Sequence, residues 1–292
     1  VIGKQLPMDI IEAGIRALAP QLKDSRQSSK DAAEAILTTD TKSKEAAVTV
    51  EIGGKEVTIG GICKGSGMIH PNMGTMLGYI ATDAAIEKEL LLEMQRELVE
   101  DTFNMVSVDG DTSTNDTVLV MANGMAGNET IRTKDADYQA FREGLLYVNR
   151  ALAMQIAADG EGCTRLFEVH VAGADTKENA KILSKSVVTS SLTKAAIYGK
   201  DANWGRILCA LGYAGVDFDP LKVDIALVSK AGNIEIVKDG VATDYSEEEA
   251  TKILSEDKVT AQIDVHNGVE EATAWGCDLT HDYVSINADY RS

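Results

Sequence analysis

The sequence predicts an α/β architecture, and three observations carry the prediction. Apolar and polar residues alternate over Val48 to Ile62 about a Gly53-Gly54 pair, the pattern of a β-hairpin. Apolar residues recur every three or four positions over Ala84 to Glu100 and Tyr138 to Ala158, the pattern of amphipathic helices. Short strand-like and helical runs then alternate along the rest of the chain, as in folds that layer helices on sheets. With 292 residues and 44% hydrophobic content the chain can bury a large core, as one domain or two. Aromatic residues make up only 5%, so that core is expected to be aliphatic.

Taken in order, Pro7 opens a helix whose Ile10, Ile11, Ile15 and Leu18 recur at helical spacing, and Pro20 stops it. A polar connection from Lys23 to Lys30 leads to a second helical stretch ending at Leu37. Thr38-Thr39-Asp40-Thr41 gathers four capping or turn formers and reads by composition as a solvated loop. The hairpin follows and delivers Lys64 at its end. Past a glycine-rich stretch, Ile86, Leu90, Met94 and Leu98 line the helix Ala84 to Glu100. Strand-like Met105 to Val108 and Val118 to Met121 flank an acidic loop, Asp109 to Thr117. Its hard oxygen ligands suggest calcium, but the glycine and terminal glutamate of an EF-hand are not at the required offsets. The helix Tyr138 to Ala158 ends at Asp159-Gly160-Glu161-Gly162, a turn by composition. Arg165 to Ala174 is strand-like, Lys177 to Ser186 helical, and Ile207 to Tyr213 helical with Trp204 expected in the core at its start. Two strand pairs are expected next, Val223 to Val228 with Ile234 to Val237, and Val259 to Val265 with Ala272 to Cys277. The last stretch, Tyr283 to Ser292, is expected to fray.

A net charge of −18 argues against nucleic-acid phosphates or an anionic membrane as partner. Residues 1–74 hold nine Lys/Arg and nine Asp/Glu, so residues 75–292 carry the whole excess. Cys63, Cys163, Cys209 and Cys277 lie far apart in sequence and form no CxxC, which suggests neither a zinc site nor a disulfide scaffold. They are expected to be buried thiols in a reducing compartment. His70, His170, His266 and His281 share no metal spacing. No stretch is apolar and long enough to span a membrane and no signal peptide is visible, so a cytoplasmic location is the expectation. Val1 is not an initiating methionine, and a fragment or processed form is expected.

The most chemically suggestive stretch is Lys64 to Gly78, KGSGMIHPNMGTMLG. Gly65, Gly67, Pro71, Asn72 and Gly74 force tight turns. At the Gly74–Thr75 bond the threonine hydroxyl can attack the glycine carbonyl, shift the acyl group from nitrogen to oxygen, and on hydrolysis leave Thr75 as a new chain start. An α-amine titrates at about 7.7–8.0, so it can serve as general base for its own residue's hydroxyl. The same residues also describe a plain loop with Thr75 as a helix cap; a phosphate cradle is not spelled, since GxxxxGK[ST] is missing.

KGSGMIHPNMGTML resembles the self-cleaving segment of the ornithine acetyltransferases, the glutamate N-acetyltransferases of arginine biosynthesis, and the resemblance runs from Val1 to Ser292. Gly74 stands where that family usually has alanine. The resemblance implies a self-processing N-terminal-threonine nucleophile fold, α/β with mixed sheets between helices. It implies cleavage between Gly74 and Thr75 into a piece of residues 1–74 and a piece of residues 75–292, which stay associated as a heterotetramer of two of each. Thr75 is then both cleaving residue and catalytic nucleophile. Substrate contacts are implied for Thr38 of the TTDT run, Lys64, Glu161 of DGEG, Asn287 of INADY and Ser292, with Lys64 facing a substrate carboxylate and Glu161 the ammonium of ornithine. The DGDTSTNDT run matches as well, which implies structural support for the region around the nucleophile and leaves a role in lining the active site open. The family's oxyanion-hole Thr-Gly belongs to a segment preceding the equivalent of Val1. The implied reaction moves an acetyl group from N-acetylornithine to glutamate with neither metal nor organic cofactor; whether acetyl-CoA also donates is left open. So are two other readings, a self-processing amidohydrolase or aminopeptidase, and an uncleaved, inactive amino-acid-binding protein.

Overall fold

In a computed structural model, which describes Gly3, residues 5–71 and residues 76–290, the chain forms two sheets with helices packed against them. Two helices come first, α1 (Met8–Leu18) and α2 (Arg26–Ala35), the second capped by Ser25, whose hydroxyl accepts from the Ser28 amide. Helix α1 forms where Pro7 and Pro20 bracket it, yet its apolar residues stay in solvent; Ile10 is 71% exposed. Strands β1 (Lys44–Ile52) and β2 (Lys55–Lys64) make the expected antiparallel hairpin. Gly53 and Gly54 both take left-handed φ at its turn, +55° and +72°, which glycine allows without strain.

Strand β3 (Leu77–Thr82) pairs antiparallel with β2, and after α3 (Lys88–Glu100) and β4 (Val106–Ser107), β5 (Thr117–Ala122) lies parallel to β3. The first sheet thus runs β1-β2-β3-β5. Helix α3 starts four residues later than the apolar spacing predicts, because Ile86 forms a bridge to Ile131 instead. The long helix α4 (Ala136–Ala157), capped by Asp135, packs on β1 and β2 and also reaches β4 of the second sheet. Gly144 permits that approach: a methyl there would sit 2.9 Å from Val50 and 3.0 Å from Ile59.

The remaining elements are β6 (Leu166–Ala174), α5 (Lys177–Thr189), α6 (Ser191–Gly199), α7 (Trp204–Gly212), β7 (Asp224–Ser229), β8 (Gly232–Lys238), β9 (Val241–Ala242), α8 (Glu247–Leu254), β10 (Lys258–Asp264), β11 (Glu270–Cys277) and α9 (His281–Asp289). The second sheet runs β4-β11-β6-β10-β7-β8-β9 and is mixed, with β6 and β10 parallel. The expected pairing of β7 with β8 forms, whereas that of β10 with β11 does not. Strand β6, whose Phe167, Val169 and Val171 are buried, lies between them. The five-residue link crosses its end, where Val265 and Asn267 donate to the Ala172 and Gly173 carbonyls. Helix α9 replaces the expected fraying, with Thr280 capping it through the Tyr283 amide. Trp204 packs partly buried against the aliphatic core as expected. Among the described residues no helix is long and apolar enough to cross a membrane.

Candidate functional site

Four chain segments meet at the end of β2. Lys64 closes that strand, and the following residues turn sharply, with φ of +157° at Gly65 and +53° at Met68. Asp109 holds this turn from the side of the acidic loop, its carboxylate accepting the Met68 amide at 2.6 Å and the Ile69 amide at 3.0 Å. Thr112 donates its hydroxyl to the His70 carbonyl at 2.8 Å, and Ser107 meets His70 Nδ1 at 3.0 Å. The DGDTSTNDT loop is therefore the structural support it was expected to be. Burial and the nearby Lys185 charge hold the His70 imidazole below its ordinary pKa, which favours the neutral ring.

The TTDT loop enters through Asp40. Its buried carboxylate accepts the Gly65 amide at 2.6 Å, the Lys44 ammonium at 2.7 Å and the Thr38 amide at 3.2 Å, with Lys64 Nζ at 3.8 Å. Burial alone raises its pKa; the Lys44 and backbone hydrogen bonds outweigh that and leave the carboxyl below its usual value. Lys44 also reaches Asp159 at 2.5 Å, and Asp159 accepts the Thr41 amide at 3.0 Å and the Thr41 hydroxyl.

Asp159 opens the DGEG turn at the end of α4. Its carbonyl accepts the Ser66 hydroxyl at 2.7 Å, and the Glu161 amide donates to the Ser66 carbonyl at 3.0 Å. The Glu161 carboxylate lies against Gly67, where any side chain would collide with it, and accepts Asn287 Nδ2 at 2.8 Å. Helix α9 is docked by Gly162, whose φ is +68° and whose missing methyl would lie 2.5 Å from the Tyr283 amide nitrogen. Tyr283 itself donates to Asp109 at 3.4 Å; burial and the charges of Asp109, Asp111 and Glu161 push its phenol up to about 12. The surroundings are thus electronegative on the Glu161 side, suited to an ammonium, with Lys64 as a cation beside the TTDT loop.

Of the expected site residues, the structure brings Glu161 and Asn287 into contact and joins Lys64 and Thr38 through Asp40. The Thr38 contact is made by its backbone. Gly74, Thr75 and Ser292 lie outside the described residues. Asp40, Lys44, Asp159 and Asp109, which do most of the joining, were not singled out by sequence reasoning, although Asp40 lies inside TTDT, Asp159 opens DGEG and Asp109 opens the acidic loop; nothing pointed to Lys44. A cleft of about 590 Å³ borders the back of the DGEG turn, but none of Thr38, Lys64, Glu161 or Asn287 lines it.

The thiols depart from expectation. Cys63 and Cys277 are buried, but Cys163 is only half-buried and Cys209 is exposed. Gly160 and Gly162 let the DGEG turn pack tightly on β11 and α9, a methyl at Gly160 lying 2.8 Å from Cys277 Sγ, and the Cys163 thiol donates to the Ala158 carbonyl at 3.5 Å. Among the described residues no group of three or more His, Cys, Asp or Glu side chains is arranged to hold a metal ion.

A model of the ArgJ family matches residues 1–292. The chain is 53% identical over 292 residues to the arginine biosynthesis bifunctional protein ArgJ of Symbiobacterium thermophilum, covering 100% of this chain and 71% of that protein. It is 48% identical over 295 residues to the protein of the same description from Thermotoga neapolitana, covering 100% and 73%. A crystal structure of the arginine biosynthesis bifunctional protein ArgJ from Bacillus halodurans is similar in fold, with a TM-score of 0.71 and 47% identity. The match spans 74% of this chain and all of that one.

Proposed function

This chain belongs to the ArgJ family and is an enzyme of the acyltransferase class, and from that premise we propose that it moves an acetyl group from N-acetylornithine to glutamate in arginine biosynthesis, through an ester on Thr75. The observation that carries the proposal is that Lys64 is braced by Asp40 and Glu161 by Asn287, on two turns joined to each other through the Ser66 carbonyl and hydroxyl. A cation and an anion so held suit the carboxylate and the side-chain ammonium of an acylated ornithine.

The reaction begins with cleavage between Gly74 and Thr75, which frees the Thr75 amine. That amine takes the hydroxyl proton, the oxygen attacks the acetyl carbonyl, and ornithine leaves with the proton on its nitrogen. The amine of glutamate then attacks the ester and restores the hydroxyl. A covalent ester divides one difficult transfer into two easier ones and needs neither metal nor organic cofactor. Thr38 and Ser292 complete the proposed substrate contacts.

Two observations support cleavage into a piece of residues 1–74 and a piece of residues 75–292 that remain together. Strand β2 precedes the bond and β3 follows it, and the two pair in register from Ile59↔Thr82 to Lys64↔Leu77, while α4 buries β1 and β2. The Bacillus halodurans chain, wholly covered by 74% of this one, has about the length of residues 75–292. Two such pairs forming a heterotetramer complete the proposal.

The test is the intact mass under denaturing conditions beside a Thr75→Ala variant, followed by acetyl transfer with and without glutamate. Two fragments meeting at Gly74–Thr75 in the natural chain only, and N-acetylglutamate as product, are expected. One uncut chain in both, or acetate as the sole product, would overturn the proposal.

A further inference from the structure

Lys44 is fully buried, with Asp40 on one side at 2.7 Å and Asp159 on the other at 2.5 Å; their side chains are 0%, 0% and 3% exposed. Replacing a buried ion cluster by apolar groups of like volume is often neutral or stabilising, so stability alone does not account for three charges here. What the cluster does is geometric. Asp40 ties the TTDT loop to the amide that follows Lys64, and Asp159 ties the same loop to the turn carrying Glu161. The cluster carries one net negative charge, and Lys64 Nζ, 3.8 Å from Asp40, brings it to neutrality.

Resting on the acetyl-transfer reading, we infer that Asp40, Lys44 and Asp159 are positioning residues that fix the span between the Lys64 ammonium and the Glu161 carboxylate, and that this span sets the length of diamino acid accepted. The substrate's carboxylate and side-chain ammonium are separated by a fixed number of methylenes. A rigid span therefore admits the ornithine skeleton and disfavours one methylene more. A single methylene is worth about 10–200-fold in an apolar pocket, and a rigid span between two fixed charges is expected to discriminate within that range.

The charge-balanced double variant Lys44→Met with Asp159→Asn removes one charge of each sign and leaves Asp40 with Lys64. Its cleavage is checked by mass, its folding by circular dichroism, and its kcat/KM measured for N-acetylornithine and for the one-methylene-longer N-acetyl-lysine. A cut, folded enzyme is expected whose KM for N-acetylornithine rises about tenfold or more, the cost of losing one charged hydrogen bond. Its preference over N-acetyl-lysine is expected to collapse to about threefold or less, well under the one-methylene range. Wild-type preference in a folded variant overturns the inference. Should the double variant not fold, Asp40→Asn, which frees Lys64, carries the same expectation; failure of both to fold makes the triad a stability element and overturns it too. The natural enzyme is assayed first: absence of transfer from N-acetylornithine there defeats the acetyl-transfer reading itself, whatever the variants do.

Discussion

Gly67→Ala separates binding from stability. A methyl at this position would lie 2.3 Å from the Cδ and Oε2 atoms of Glu161 and 2.4 Å from Oε1, so the carboxylate must retreat by about 1 Å to reach ordinary contact. Gly67 has no left-handed φ, and the obstacle is the far end of a flexible side chain, so the backbone has no reason to move. Retreat draws Glu161 off Asn287 Nδ2, now at 2.8 Å, and away from the position proposed for the substrate ammonium. A hydrogen bond to a charged group contributes about 1.5–3 kcal/mol. At 1.4 kcal/mol per factor of ten, kcat/KM for N-acetylornithine should fall about 10- to 100-fold, chiefly through KM. The melting temperature should stay within about 2 °C, less than the shift that 1 kcal/mol produces in a chain this size. Unchanged kinetics would show that Glu161 does not bind substrate from this position. A fall in activity that merely tracks a large loss of stability would show a packing defect instead.

The neighbouring Gly162→Ala should behave in the opposite way, because φ is +68° and the obstacles are backbone atoms at 2.5 and 2.8 Å; urea unfolding should show a loss of about 1–3 kcal/mol. Asp224 gives a pH signature. Burial works to raise its pKa, but Lys238, His266 and the Asp239 amide hold it at about 2, against 3.8 for the free group. Its contribution is complete above about pH 4 and disappears as pH falls through about 2, so Asp224→Asn should flatten the acid limb of a stability curve over that window. Alkylation of the native protein should modify Cys209 readily and leave Cys63, whose thiol burial pushes up to about 12, untouched until the chain is unfolded; peptide mass mapping reads both.

Local signals made much of the fold legible. Gly53-Gly54 between alternating residues gave the β1–β2 hairpin, and apolar spacing gave α4 within two residues of its observed start. What escaped depended on distant partners. The short link between β10 and β11 looks like a hairpin connection, and no periodicity reveals that β6, some ninety residues upstream, takes the place between them. Helix α9 buries none of its residues, so it lacks an apolar stripe; it rests on the Thr280 cap and on close packing against Gly162. Helix α8 could have been found, since Ser246 and Glu249 stand at the spacing of a capping box.

The site divides along the same line. Its loops were visible because turn formers cluster in TTDT, KGSG and DGEG, and their roles came from resemblance. The means of holding them together was hidden, because a lysine at the start of a strand is normally solvated and nothing near Lys44 in sequence announces Asp159, 115 residues away. Yet the loops required some such partner. Each is rich in backbone amides and hydroxyls, and those that turn inward where the loops pack must find an acceptor. Asp40 and Asp159 meet that demand for Thr38, Gly65 and Thr41, and two buried carboxylates in turn demand a buried cation. The buried lysine thus follows from the polarity of the turns that the substrate site is made from, even though its sequence position does not.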